Sequence, residues 1–234
     1  MSSPVSRGIR ATVSAGAHNG FVLEGMADLL ASSSGCYSAA RAAALSGVPK
    51  STVYDWARKG VVVPSVSPVH EKLWSFQDLL VLRAVQWLRR RKDEVPASPM
   101  PQVRAALEQT VMDGRNPWTD PSIRITVDLT GRIFVEASGE PRDVHGQSTW
   151  EFTERLDLLG AFDHSSHLVS PTEHIAIRPS RLSGEPHLRD TRITTLDLAA
   201  LSADGYENGQ IAELYELSVE RVEEAIQYEE RLAA

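Results

Sequence analysis

Between residues 36 and 93, apolar side chains recur every three or four positions in three runs. The first, "AARAAALSG", is rich in alanine, the residue that forfeits least on entering a helix, and Ser38 stands where a hydroxyl caps its free N–H groups. Gly47 ends it. The second, "PKSTVYDWARK", opens on Pro49, whose missing N–H does no harm in a first turn. Val53, Trp56 and Ala57 share one face of it, and Gly60 stops it. Ser75 caps the third, "FQDLLVLRAVQWLRRRK" (76–92), with Leu79, Leu82, Val85 and Leu88 near helical spacing. The intervening "VVVPSVSPVHEKLW" (61–74) predicts a β-rich excursion, held to short or edge strands by Pro64 and Pro68.

Beyond residue 93 the pattern changes. Pro96, Pro99 and Pro101 predict a linker, followed by one short helix, "VRAALEQTVM" (103–112), that Gly114 ends. "IRITVDLTGRIFVEA" (123–137) alternates as strand, turn and strand, with Thr130–Gly131 at the turn. "STWEFTERLDLLGAF" (148–162) fits a strand or a short helix. "EHIAIRPSRL" (173–182) begins with strand alternation and runs into the turn-rich "LSGEPHLRDTRI" (182–193). Three helices follow: "TTLDLAALSAD" ended by Gly205, "GQIAELYE", and "VERVEEAIQYEERLAA" capped by Ser218. Thr191, Thr194 and Thr195 are alternative caps for the first. Residues 1–35 are rich in Ser, Gly and Ala; only "FVLEGMADLL" (21–30) has a helical pattern, and the first twenty read as mobile. The expected organisation is α+β: a flexible segment (1–35), a winged helix-turn-helix (36–95), a linker helix and β-hairpin region (96–172), and a trihelical, helix-turn-helix-like domain (173–234).

Composition excludes some classes. No run of about 18 apolar residues exists, so no membrane span is expected. The start of the chain lacks the pattern of a secretory signal, and the single cysteine, Cys36, cannot form an internal disulfide. A cytoplasmic protein is expected. The net charge of −7 is unevenly spread. Residues 1–95 hold 12 Lys/Arg against 7 Asp/Glu, whereas 196–234 hold 2 against 10. Such asymmetry implies different partners for the two ends, or two solvated helix faces of opposite sign.

At the basic end, helix, glycine-containing turn and second helix form the helix-turn-helix pattern. The second helix of such a unit enters the major groove, its N-terminal residues meeting base edges. Lys50, Ser51, Thr52 and Tyr54 hold those positions. Arg58 and Lys59 suit phosphate oxygens, and Arg41, His70 and Lys72 can add backbone contacts. The plainer reading is a helical core with exposed lysines. "YSAARAAALSGVPKSTVYDWARKGVVVPS", followed by "LWSFQDLLVLRAVQWLRR", resembles the MerR-type winged helix-turn-helix. The prolines at 96, 99 and 101 interrupt the long dimerisation helix of the sensing members of that family, and paired metal-binding cysteines are absent.

At the acidic end, Gly184 and Pro186 build a fixed turn from which Arg181, Arg189 and Arg192 project. Glu213, Glu216, Glu220, Glu223, Glu224, Glu229 and Glu230 would repel DNA phosphates, so this unit is expected to bind protein. Ile193, Leu196, Leu198 and Leu201 read as ordinary core. The stretch "HIAIRPSRLSGEPHLRDTRITTLDLAALSADGYENGQIAELYELSVERVEEAIQY" resembles a domain catalogued as domain of unknown function four hundred and thirty-three, often found in VapB-like antitoxins. Where that family commonly has Gly before "TRI", this chain has Asp190. The resemblance implies a PIN-like ribonuclease toxin as partner, whose metal-gathering carboxylates an arginine can pair with bidentately. Arg192, then Arg189 and Arg181, with Thr191, are the candidates; for each arginine a local pair with Asp190, Asp197 or Glu185 is the competing role.

No catalytic constellation emerges: there is no "G-x-S-x-G", P-loop or dinucleotide fingerprint. His164, His167 and His174 could hold zinc in a hydrolase, but a Ser-rich loop does not fix their spacing. The sequence therefore predicts no enzyme and no cofactor. It predicts a type II antitoxin that silences a PIN-like ribonuclease and represses its own operon as a homodimer or toxin–antitoxin hetero-oligomer. The alternative is a free-standing transcription regulator with a ligand- or protein-sensing C-terminal domain.

Overall fold

The computed structural model describes residues 35–92, 95–112, 123–137, 140–143, 156–157 and 168–234. Among these residues it is an α+β chain with seven α-helices and small antiparallel sheets. The helical pattern at 21–30, most of the ambiguous 148–162 stretch, His164 and His167 lie outside the described residues.

Strand β1 (Tyr37–Ser38) pairs with β2 (Leu73–Trp74), tying the start of the basic module to the stretch just before its third helix. Ser38 also caps α1 (Ala39–Ser46), accepting from the Arg41 N–H at 3.3 Å, and Gly47 closes that helix at φ 71°. Helix α2 (Lys50–Arg58) follows from Pro49 and buries Val53 and Trp56. Of the β-rich excursion expected at 61–74, only the short strand β2 and one bridge joining Ser67 to Leu73 form, and the rest is bends. Pro64 and Pro68 leave too few N–H donors there for a longer ladder. Helix α3 (Phe76–Arg89) starts in a capping box between Ser75 and Asp78, and ends three residues short of the predicted limit as Arg90 turns extended.

Helix α4 (Met100–Met112) begins before the predicted residue 103, because Pro101 falls in its first turn, where no N–H bond is lost. Strands β3 (Ile123–Val127) and β4 (Ile133–Ala137) form the expected hairpin, turning through Gly131 at φ 79°. β5 (Glu140–Asp143) and β6 (Leu156–Asp157) complete a sheet of order β5-β4-β3-β6. Ile125, Val127 and Ile133 join Leu79, Leu82 and Val103 in one apolar cluster, so the core runs through the proline stretch without a break.

The acidic module opens with β7 (Ile175–Ala176) paired to β8 (His187–Leu188) around a 3-10 turn at Leu182–Gly184. Thr194 caps α5 (Thr195–Ala203) by accepting from the Asp197 N–H at 3.1 Å. α6 (Asn208–Tyr215) ends at Glu216, which takes a left-handed conformation without being glycine. Ser218 precedes α7 (Val219–Ala233) but its side chain makes no capping bond, contrary to expectation. Leu198, Ile211, Val222 and Ala225 form the second core, and Leu232 packs against both cores.

Candidate nucleic-acid interface

Burying Val53 and Trp56 turns the opposite face of α2 outward, since residues three and four apart share a face. Lys50, Ser51, Tyr54, Arg58 and Lys59 are exposed, and Thr52 is half-buried. The Tyr54 ring rests edge-on against Trp74, with centroids 6.1 Å apart, which steadies a large side chain in the middle of that face. Asp55 accepts from Arg58 Nη2 at 2.6 Å and from Lys59 Nζ at 2.7 Å. Those bonds, Lys59 first, hold its carboxyl below the usual range.

The loop that carries His70 and Lys72 is anchored at its base. Asp78 Oδ2 accepts from the Ser65 N–H at 2.9 Å, the Ser65 hydroxyl at 2.8 Å and the Ser75 N–H at 2.8 Å. The loop and the start of α3 are thus fixed by one carboxylate. His70 is exposed and Lys72 half-buried. Arg104 of α4 donates to the Lys59 carbonyl, satisfying a free acceptor where α2 ends.

Arg41 departs from expectation. Its side chain is 14% exposed and faces the acidic module, not solvent. Nη1 and Nη2 form a bidentate pair with Glu229 at 2.7 and 2.8 Å, and Nε donates to Glu185 at 2.8 Å. Thr195 Oγ1 also donates to Glu229. Burial alone disfavours the guanidinium charge, but Glu229 and Glu185 outweigh it and hold its pKa above the usual range. Two carboxylates occupy Arg41, so it is not available as a phosphate contact. Glu229, in turn, belongs to this buried contact and not to the acidic surface.

Around the turn at 182–193 the candidates separate. Arg189 donates to the backbone carbonyls of Glu173 and Thr172, and Thr191 Oγ1 to the Leu188 carbonyl at 2.9 Å, so both hold the turn's own backbone. Among the described residues no hydrogen bond or ion pair engages the side chains of Arg181, half-buried, or Arg192, exposed. Asp190 adopts φ 62°, the left-handed conformation a glycine would take there. Leu198 is buried as expected and Ile193 and Leu201 pack at the edge of the core. Leu196 is 52% exposed, a correction that follows from its place on the outer face of α5. His174 lies 3.9 Å from Glu224.

Residues 37–93 match the family described as MerR HTH family regulatory protein. Residues 175–228 match the family described as protein of unknown function (DUF433). The basic module is therefore a MerR-type helix-turn-helix region, and the acidic module a DUF433 region. No curated protein matches the chain. The X-ray crystal structure of Rv2018 from Mycobacterium tuberculosis is similar at 14% identity with a TM-score of 0.49, over 81% of this chain and 96% of that one. Among the described residues no helix is long and apolar enough to cross a membrane.

The sequence pointed to the α2 face and missed two features. Asp55 could have been found from its spacing of three and four residues to Arg58 and Lys59, the pairing distance on a helix. The Arg41–Glu229 pair spans 188 residues and leaves no local signal.

Proposed function

We propose that this chain is a type II antitoxin that binds operator DNA through α2 and its adjoining loop, and a PIN-like ribonuclease through its acidic module. The observation that carries the DNA half is the exposed stripe of Lys50, Ser51, Tyr54, Arg58 and Lys59 on a MerR-type helix-turn-helix. Lys50, Ser51, Thr52 and Tyr54 meet base edges; Arg58, Lys59 and Lys72 grip phosphates. The toxin half is supported by the unengaged Arg192 and Arg181 beside helices that carry exposed Glu213, Glu216, Glu220 and Glu223. Arg192 enters the carboxylate cluster of the nuclease, Arg181 assists, and Arg189 and Thr191 shape the turn that presents them. The chain acts in the cytoplasm, without catalysis or cofactor, as a homodimer or toxin–antitoxin assembly matched to a two-fold operator.

A gel shift with the chain's own upstream duplex tests the DNA half. Replacing Arg58 and Lys59 together by Ala is expected to weaken binding and flatten the log–log salt slope by about two, about one per lost phosphate contact. Unchanged affinity and slope would remove α2 from the interface. Co-purification with the product of the adjacent reading frame, lost on Arg192→Glu, tests the toxin half. A second reading is favoured by the Arg41–Glu229 contact, which joins the two modules: a free-standing regulator whose C-terminal domain senses a ligand or protein and alters the seating of α1.

A further inference from the structure

On the outward face of α2, one carboxylate is shared by two cations. Asp55 reaches Arg58 through one oxygen and Lys59 through the other, and the two cationic side chains are 78% and 57% exposed. Asp55 sits between Ser51 and Arg58 on the stripe that faces outward, one position from Tyr54. It is neither buried nor needed by the core, whose contacts on α2 are Val53 and Trp56. A negative charge at the centre of such a face is unfavourable against phosphates, which carry the affinity of non-specific binding. In the major groove, however, an Asp or Glu carboxylate accepts from the exocyclic amine of cytosine.

Resting on the DNA-binding reading above, we propose that Asp55 sets the sequence selectivity of α2, restraining Arg58 and Lys59 on arbitrary DNA and releasing them to phosphates where a cytosine amine takes their place. On a duplex without that amine, Arg58 and Lys59 reach phosphates only by leaving the carboxylate bare in a negative field. On a duplex with it, the carboxylate keeps a donor and both cations are free. Asp55 therefore lowers affinity for most sequences and gives discrimination at one position.

The test compares wild type, Asp55→Asn and Asp55→Glu, each binding the chain's upstream duplex and a scrambled duplex of equal length and composition, across a salt series. Thermal melting confirms that the variants stay folded. Asp55→Asn is expected to bind the scrambled duplex about 3- to 10-fold more tightly, with a salt slope steeper by up to about two, about one for each cation released. Its preference for the upstream duplex falls correspondingly, and base substitution across that duplex locates the loss at a C·G pair, about 5-fold or more. Asp55→Glu, which keeps the charge on a side chain one methylene longer, retains weak binding to the scrambled duplex. An unchanged preference in Asp55→Asn, or equal weakening on both duplexes, overturns the selectivity role while leaving α2 as the reader. A wild-type protein that binds neither duplex overturns both this inference and the reading it rests on.

Discussion

Gly184 has no room for even a methyl group. A Cβ there would lie 2.0 Å from the Tyr37 hydroxyl, and the residue holds φ 84°, where side chains are strained. The Tyr37 hydroxyl donates to the Gly184 carbonyl at 2.8 Å, and burial, reinforced by the charge of Glu185, pushes its pKa well up, so it stays a neutral donor. Gly184→Ala is expected to cost about 1–3 kcal/mol through overpacking, read as a lower midpoint in urea unfolding. His187 offers a pH handle at the same scale. It is 1% exposed and its Nδ1 lies 2.9 Å from the Glu185 carbonyl. Burial, with the charges of Arg181, Arg178 and Arg189 nearby, lowers its pKa below the usual 6.5, against the raising effect of that carbonyl. The sign follows from proton counting. Below about 6.5 the unfolded chain takes up a proton that the folded chain refuses, so stability falls with pH until the folded imidazole also titrates. Tm should therefore drop between pH 7.5 and 5, and His187→Gln should flatten that part of the curve.

Individual elements were legible where local chemistry decides them. Ser38, Gly47, Ser75 and Gly131 mark ends and turns in the sequence and hold those places in the structure, because caps and left-handed turns act within four residues. The stretch 61–74 is β only at its end, in the short strand β2 and one bridge, and bends elsewhere. Its three leading valines suggest a strand, yet Val61 and Val62 are buried and Val63 is exposed, which is core packing and not alternation. Leu196 and Glu229 were misassigned because which face of α5 and α7 turns inward is fixed by packing partners far along the chain. The face of α2 was readable, since Val53 and Trp56 leave one stripe outward. The restraint Asp55 places on it needed only the spacing rule.

At the level of the whole molecule, the two modules share a charged contact. Arg41 is 14% exposed, Glu229 8% and Glu185 26%, so removing one partner strands a charge with little water. Arg41→Ala is expected to destabilise by about 3–5 kcal/mol. Calorimetry should then separate the two modules, with a single melting transition in the wild type and an earlier one for the acidic module in the variant. The nonpolar isostere Arg41→Met, paired with Glu229→Gln, should recover part of the loss, because the stranded charge is gone.

That contact also sets an order on synthesis. A ribosome adding about 5–20 residues per second needs roughly ten to forty seconds between residue 41 and residue 229, 188 positions later. Until residues 184 and 185 emerge, the nascent basic module has its Tyr37 hydroxyl without the Gly184 acceptor and its Arg41 guanidinium without either carboxylate, and the bidentate partner Glu229 comes 44 residues later still. A fragment truncated before residue 185 would thus expose a cation that the finished chain conceals, and would offer proteases a loosened first helix.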